Sequence, residues 1–254
     1  MGRPHVEFIE VSDVPEQELA EGAFAGAQCR VLSADNVDGS WTGIVRLSAG
    51  ASHDLGGSPR PLELFGLRGS LTLAGSDFGA GSYAWVPARP DDGSIAIADE
   101  TLVLVMVEPE SEDGGGPVEV IDTNERRLED HGVEGVPPGL VIKLLRVDEE
   151  KGDWTWICAG PPGWREDRAE IHPTVEEALV LRGDVLLGER GEMSAGSYFW
   201  RPPMVRHGPM YSRGGNLIFF RTKGGGMEVT YESVPGWREL VEAYRDREPL
   251  YLGE

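Results

Sequence analysis

The sequence predicts an all-β protein made of two copies of one barrel in tandem, with short helices at its margins. Three observations predict this. Gly 35 and Pro 18 in 254 residues make a turn-rich chain, which suits many short strands rather than long helices. Glycine and proline punctuate the chain every eight to twelve residues, as a sandwich or barrel requires. An internal repeat runs through the whole chain at an offset that drifts from 112 to 115. Val6-Glu7-Phe8-Ile9-Glu10 returns as Val118-Glu119-Val120-Ile121-Asp122, and Gly39-Ser40-Trp41-Thr42 as Gly152-Asp153-Trp154-Thr155. Leu67-Arg68-Gly69 returns as Leu181-Arg182-Gly183. The longest match sets Gly81-Ser82-Tyr83-Ala84-Trp85-Val86-Pro87 against Gly196-Ser197-Tyr198-Phe199-Trp200-Arg201-Pro202. The matches keep their order, so the copies share one fold.

From the N-terminus, Asp13-Val14-Pro15 opens a predicted short helix through Ala20, with proline near its first turn. Leu64 to Leu67 and Thr101 to Val107 are short apolar runs rich in branched or aromatic residues, and read as strands. The acidic, glycine-rich Glu108 to Pro117 is the junction, dividing the chain into domains 1–113 and 114–254. In the second copy, Ala178 to Leu181 and Asn216 to Thr222 repeat the strand pattern. Pro235 to Arg247 places Leu240, Val241 and Tyr244 on one face and predicts an amphipathic C-terminal helix, to pack on its own barrel or on a partner.

Hydrophobic residues at 40 % suffice for a core. A formal charge of −21 argues against a nucleic-acid partner, because the phosphate backbone would be repelled, and against anionic membranes. No apolar run has the length of a membrane span, and the acidic Met1 to Gln17 does not read as a secretory signal, so a cytoplasmic protein is expected. Cys29 and Cys158 lie far apart beside apolar residues; a disulfide is open to them, but two buried free thiols are the expectation.

The chemistry lies in the second copy. The five histidines are His5, His53, His131, His172 and His207. Glu170-Ile171-His172 sets two side chains on one strand face, since alternate residues point the same way. Glu176, Gly183, Gly196, Pro202 and His207 follow. This order and spacing resembles the two cupin motifs: a His-x-His, three or four residues, Glu, six residues and Gly; then Gly, five residues, Pro, four residues and His. His172, Glu176 and His207 match the second histidine, the glutamate and the last histidine. Glu170 stands where the first histidine would be, Met204 where a small residue follows the proline, and Tyr211 where a terminal asparagine is usual.

The resemblance implies two tandem cupin (double-stranded β-helix, jelly-roll) barrels and a divalent metal ion held by His172, Glu176 and His207, with Glu170 as a further candidate ligand. Two imidazoles and a carboxylate favour Fe(II) and are compatible with Mn(II), Ni(II) and Zn(II). Glu170 is either a ligand, a general base beside the metal or an acid outside the coordination sphere. Glu170, Arg206 and Tyr211 are the candidate catalytic residues, and Trp164, Arg201 and Phe220 are further pocket candidates. An arginine facing the metal would suit a carboxylate or enolate. Tyr198 and Trp200 have counterparts in Tyr83 and Trp85, which favours core packing; Glu177, matched by Glu63, is expected to point outward.

The first copy sets Gly56, Ser58, Leu62 and Asp92 against Glu170, His172, Glu176 and His207, so it is read as a scaffold without metal ligands, with His53 on a solvent-facing loop. Three functions remain open: a dioxygenase acting on a small organic acid or diketone; a non-redox isomerase or lyase; and a non-enzymatic metal- or ligand-binding module. The partner expected is a small-molecule substrate, and the resemblance implies a homodimer.

Overall fold

The computed structural model describes residues 2–129, 136–225 and 228–245; His131 lies outside the described residues. Contacts divide the chain into two compact units: residues 1–4 with 9–127, and residues 5–8 with 128–254. The order of pairing is the same in both. In the first unit the main sheet runs Glu119–Asp122, Ser82–Val86, Leu62–Arg68, Thr101–Val107, Trp41–Leu47, Gln28–Ala34 and Gln17–Glu18. In the second it runs Val6–Glu10, Ser197–Arg201, Val175–Leu187, Asn216–Lys223, Asp153–Gly160 and Val141–Asp148.

The edge strands are exchanged with respect to the repeat. Glu119–Asp122 opens the second copy yet pairs with Ser82–Val86. Its counterpart Val6–Glu10 lies beside Ser197–Arg201. The sequence junction at 113/114 therefore differs from the division by contacts, which falls after residue 127 and carries His5–Phe8 into the second unit.

Two details of register show that the repeated residues do the same work. In each copy a bulge interrupts pairing at the leucine before Arg-Gly: Leu102 pairs with Arg68 and Val103 with Gly66, while Val180 pairs with Ile218 and Arg182 with Leu217. The glycine that follows has φ of +81° at Gly69 and +84° at Gly183. A Cβ at Gly183 would lie 1.9 Å from the Gly215 carbonyl oxygen, and one at Gly69 would lie 2.3 Å from that of Glu100. Only glycine meets both the left-handed backbone and the close approach.

Two expected local features differ. Instead of a helix from Asp13 to Ala20 there is a 3-10 turn, Val11–Asp13, and a strand, Gln17–Glu18, paired with Gln28 and Cys29. Val14 precedes proline and is extended (φ −79°, ψ 122°), as the proline ring demands, and too few residues remain to nucleate a helix. His53 lies on the strand Ser52–Asp54, half-buried against the Phe24 ring at 5.7 Å. At the C-terminal end, Trp237–Arg245 is helical and buries Trp237, Val241 and Tyr244 against Leu186 and Tyr211 of its own unit. Trp237 Nε1 donates to Asp167 at 3.0 Å and the Tyr244 hydroxyl to Asp184 at 3.2 Å.

The two interiors are filled differently. In the first unit Leu62 faces Val86 and Val107 across the sheet, all three in one buried apolar cluster. The same register in the second unit sets Glu176 opposite Arg201 and Thr222. Cys29 and Cys158 are buried free thiols, each pushed up to about 12 by burial.

Candidate metal centre

Four side chains converge inside the second unit: Glu170, His172, Glu176 and His207, each no more than 4 % exposed. Glu170 lies on Arg168–Ile171, held by pairing with Thr230–Ser233. His207 is locked beside it, because Glu170 N donates to His207 O at 2.8 Å and His207 N to Glu170 O at 3.0 Å. Met204 N donates to the His172 carbonyl at 2.7 Å, tying the two motif segments together. Met204 itself adopts φ of +67° and is 67 % exposed, a conformation that explains why a small residue suits this position. Glu176 begins the long strand Val175–Leu187.

The donor atoms face one another. His172 Nε2 lies 3.3 Å from Glu170 Oε2 and 3.6 Å from Glu176 Oε1; His207 Nε2 lies 3.4 Å from Glu176 Oε2 and 3.8 Å from Glu170 Oε2. Ligands about 2.1 Å from one ion stand about 3 to 3.5 Å apart, so these separations suit a shared cation. Donor atoms of Glu170, His172 and His207 all fall within 4.8 Å of one another. The imidazole rings lie 5.3 Å apart, 29° from parallel.

Hydrogen bonding orients both rings. His172 Nδ1 lies 3.2 Å from Glu228 O, and His207 Nδ1 is 3.2 Å from Val205 O. A neutral imidazole puts its proton on the nitrogen that meets a carbonyl, which leaves Nε2 with its lone pair toward the cavity. Burial pushes His207 down to about 4, outweighing the attraction of Glu176, so this ring is neutral at ordinary pH. At His172, burial is outweighed by the hydrogen bond to Glu170 and the charges of Glu176 and Glu170, and the ring is raised. Burial raises Glu170. It would raise Glu176 too, but His207, His172 and Arg201 outweigh it and hold that carboxyl low. Buried Glu170 Oε1 has no hydrogen-bond partner among the described residues. Two inward imidazole nitrogens, two carboxylates and an unmatched carboxylate oxygen fit a divalent cation.

A cavity of about 60 Å³ adjoins these donors, walled by Trp156, Cys158, Met193, Phe199, Ile218 and Phe220. Arg201 lines it, 2 % exposed, its guanidinium 3.7 Å above the Phe199 ring. Trp164 lines the cavity as well and donates to Pro138 O at 2.9 Å.

The other candidates lie elsewhere. Arg206 is exposed and pairs with Glu232 at 2.6 Å; it does not line the cavity. Tyr211 is buried against Tyr244 and the C-terminal helix, also away from the cavity. Arg206 lies outside any strand and turns to Glu232 at the surface, while Tyr211 alternates with Met210, which lines the cavity. Glu177 does point away from the donors, but into the protein. It is buried, accepts from Tyr198 and pairs with Arg221 at 3.0 Å. Its counterpart Glu63 accepts from the Tyr83 hydroxyl at 2.8 Å, so the repeated pair is a structural one, and Tyr198 serves it rather than the cavity. In the first unit Ser58 Oγ donates to Arg60 O at 3.1 Å, and Asp92 is exposed and accepts from Ser94 N at 2.9 Å.

Sequence reasoning missed Trp156, Cys158 and Ile218 in the wall, although alternation along Asp153–Gly160 and Asn216–Lys223 places them on one face with Phe220. It also missed Glu7, whose Oε1 lies 3.6 Å from Arg201 Nη2 and whose carboxylate meets Arg190. No local pattern links a residue at position 7 to one at 201.

The fold is that of cupin barrels, with a candidate metal centre in the second unit. Residues 125–225 match the model of the ChrR Cupin-like domain family. Among solved structures, the chain resembles a proposed dioxygenase from Nostoc punctiforme, at 19 % identity and a TM-score of 0.79, covering 92 % of each chain. It also resembles a proposed glyoxylate-induced protein from Pseudomonas aeruginosa, at 19 % identity and 0.65, covering 85 % of this chain and 88 % of that one. A variant of Bacillus subtilis oxalate decarboxylase aligns at 14 % identity and 0.56, over 94 % and 84 % of the two chains. No curated protein matches the sequence. No helix among the described residues is long and apolar enough to cross a membrane.

Proposed function

We propose that this protein is a mononuclear metal-dependent enzyme acting on a small organic carbonyl or carboxylate compound, with Fe(II) as the metal and dioxygen as co-substrate. The observation that carries this reading is the pair of buried imidazoles, each turned by a backbone carbonyl to present Nε2 to the same point as two carboxylates. Two histidines and a carboxylate with open positions are a donor set suited to non-haem Fe(II). Bound there, iron would supply a redox centre with free positions for substrate and dioxygen. The chain's own residues would do the rest. His172, His207 and Glu176 hold the ion, and the aromatic and aliphatic wall excludes water from the reacting atoms. Glu170 Oε1, without a hydrogen-bond partner, either completes the ligand set or accepts a proton from the substrate.

That free carboxylate oxygen also supports a second reading, a non-redox isomerase or lyase in which Glu170 is the base and the ion a Lewis acid. Elemental analysis of untagged protein, beside oxygen-uptake assays with small carbonyl acids and diketones, tests both. Near-stoichiometric iron with substrate-dependent oxygen uptake supports the first. Zinc, nickel or manganese without oxygen uptake supports the second. Absence of any metal after reconstitution refutes both.

A further inference from the structure

The cavity beside the four donors carries an imbalance of its own. Several of its buried donors have no hydrogen-bond partner among the described residues: Arg201 Nε and Nη2, Trp156 Nε1 and Asn216 Nδ2. Against these, Glu170 Oε1 is the unmatched acceptor lining it. Buried donors without acceptors are costly, so a wall of this kind suits a ligand that brings oxygen acceptors and few donors.

Arg201 is the strongest of these groups. Its Nε and Nη2 form one edge of the guanidinium, the edge that grips a carboxylate with two parallel hydrogen bonds. The acidic groups nearby do not use it at hydrogen-bonding distance. Glu176 Oε2 lies 3.7 Å from Nη1, and Glu7 Oε1 lies 3.6 Å from Nη2. The Phe199 ring packs against the guanidinium, 3.7 Å from its central carbon. In the unit that lacks the donors the same register position is Val86, opposite Leu62, so the fold itself does not require an arginine there.

We propose that Arg201 is the anchor for the carboxylate of the substrate, which makes the ligand class a small monocarboxylic acid bearing a further carbonyl oxygen. This narrows the functional reading above and rests on the same cavity, but its test separates from the metal. Pyruvate and butane-2,3-dione have nearly the same shape and differ in having a carboxylate or an acetyl group. Each would be titrated calorimetrically into wild type, Arg201→Met and Arg201→Lys, in metal-loaded and chelator-stripped forms, with metal content measured in parallel.

The expected result is a preference for pyruvate in wild type that falls by about 10- to 100-fold in Arg201→Met, the worth of a charge-assisted bidentate contact. Arg201→Lys should keep part of it, and affinity for the diketone and metal content should stay unchanged. A preference that survives in Arg201→Met, or wild type that binds neither probe, overturns the proposal. So does loss of metal together with pyruvate in both variants, which would make Arg201 only a counter-ion to Glu176. If wild type holds no metal but keeps an Arg201-dependent preference for pyruvate, the metal reading fails and the carboxylate anchor stands.

Discussion

Removing the metal should weaken the second unit by an amount that can be worked out beforehand. Without an ion, Glu170 and Glu176 face the same small space with Arg201 as the buried cation among the cavity's side chains. Binding to the folded state alone adds about 2.7 kcal/mol when free ion stands at 100 times Kd. For a unit of about 130 residues each kcal/mol moves the midpoint by roughly 4 °C, so saturation should raise its melting transition by about 10 °C. The assay is differential scanning calorimetry of chelator-treated protein, before and after Fe(II) is restored under anaerobic conditions. His172→Ala and His207→Ala should each abolish the shift, because each removes a buried nitrogen donor. His53→Ala should leave it intact, since that ring packs on Phe24 in the other unit. An equal shift in all three variants would refute the placement of the ion.

Further predictions concern the scaffold. Arg221→Met leaves Glu177 buried without its 3.0 Å partner and should cost about 3–5 kcal/mol, while Glu177→Gln with Arg221→Met should recover much of that in urea denaturation. Gly183→Ala sets a methyl against Gly215 O at a positive φ and should lose more than about 2 kcal/mol. Gly163→Ala, at φ +80° with open space around it, should lose only about 1 kcal/mol by the same measurement. Cys29 and Cys158 should resist Ellman's reagent at pH 8 and react once guanidinium unfolds the chain, given thiols pushed up to about 12. Because the folded values are raised, the stability they contribute is complete below the free-thiol value of about 8.5 and declines as pH rises from there toward 12. A flat stability profile across that window would count against it.

Much of the fold was legible because it is written in short-range patterns. A bulge followed by a left-handed position calls for glycine, so the repeated Leu67–Gly69 and Leu181–Gly183 announce the same corner twice. Strand alternation ties Glu170 to His172, and fixed loop lengths bring Glu176 and His207 to them. The repeat also exposes what is special: Glu176 and Arg201 stand where the first unit has Leu62 and Val86. Exposure was harder to read. Glu177 looked like an outward charge, but the strand facing it supplies Arg221 and Tyr198, which make burial tolerable. Arg206 looked like a ligand-binding cation and is satisfied by Glu232 at the surface.

By itself, then, the sequence determined the repeated β architecture, the copy that carries the donors and the spacing that lets them meet, because each depends on neighbours within one strand or one turn. The tertiary structure decided which strand closes each sheet, how Glu7 comes to face Arg201, and which apolar side chains wall the cavity. It also turned the segment after Pro15 into an edge strand, where pairing with Gln28 and Cys29 outweighs local helix preference. These outcomes depend on partners many residues away, and hydrogen bonding and burial among them are settled only when the whole chain has folded.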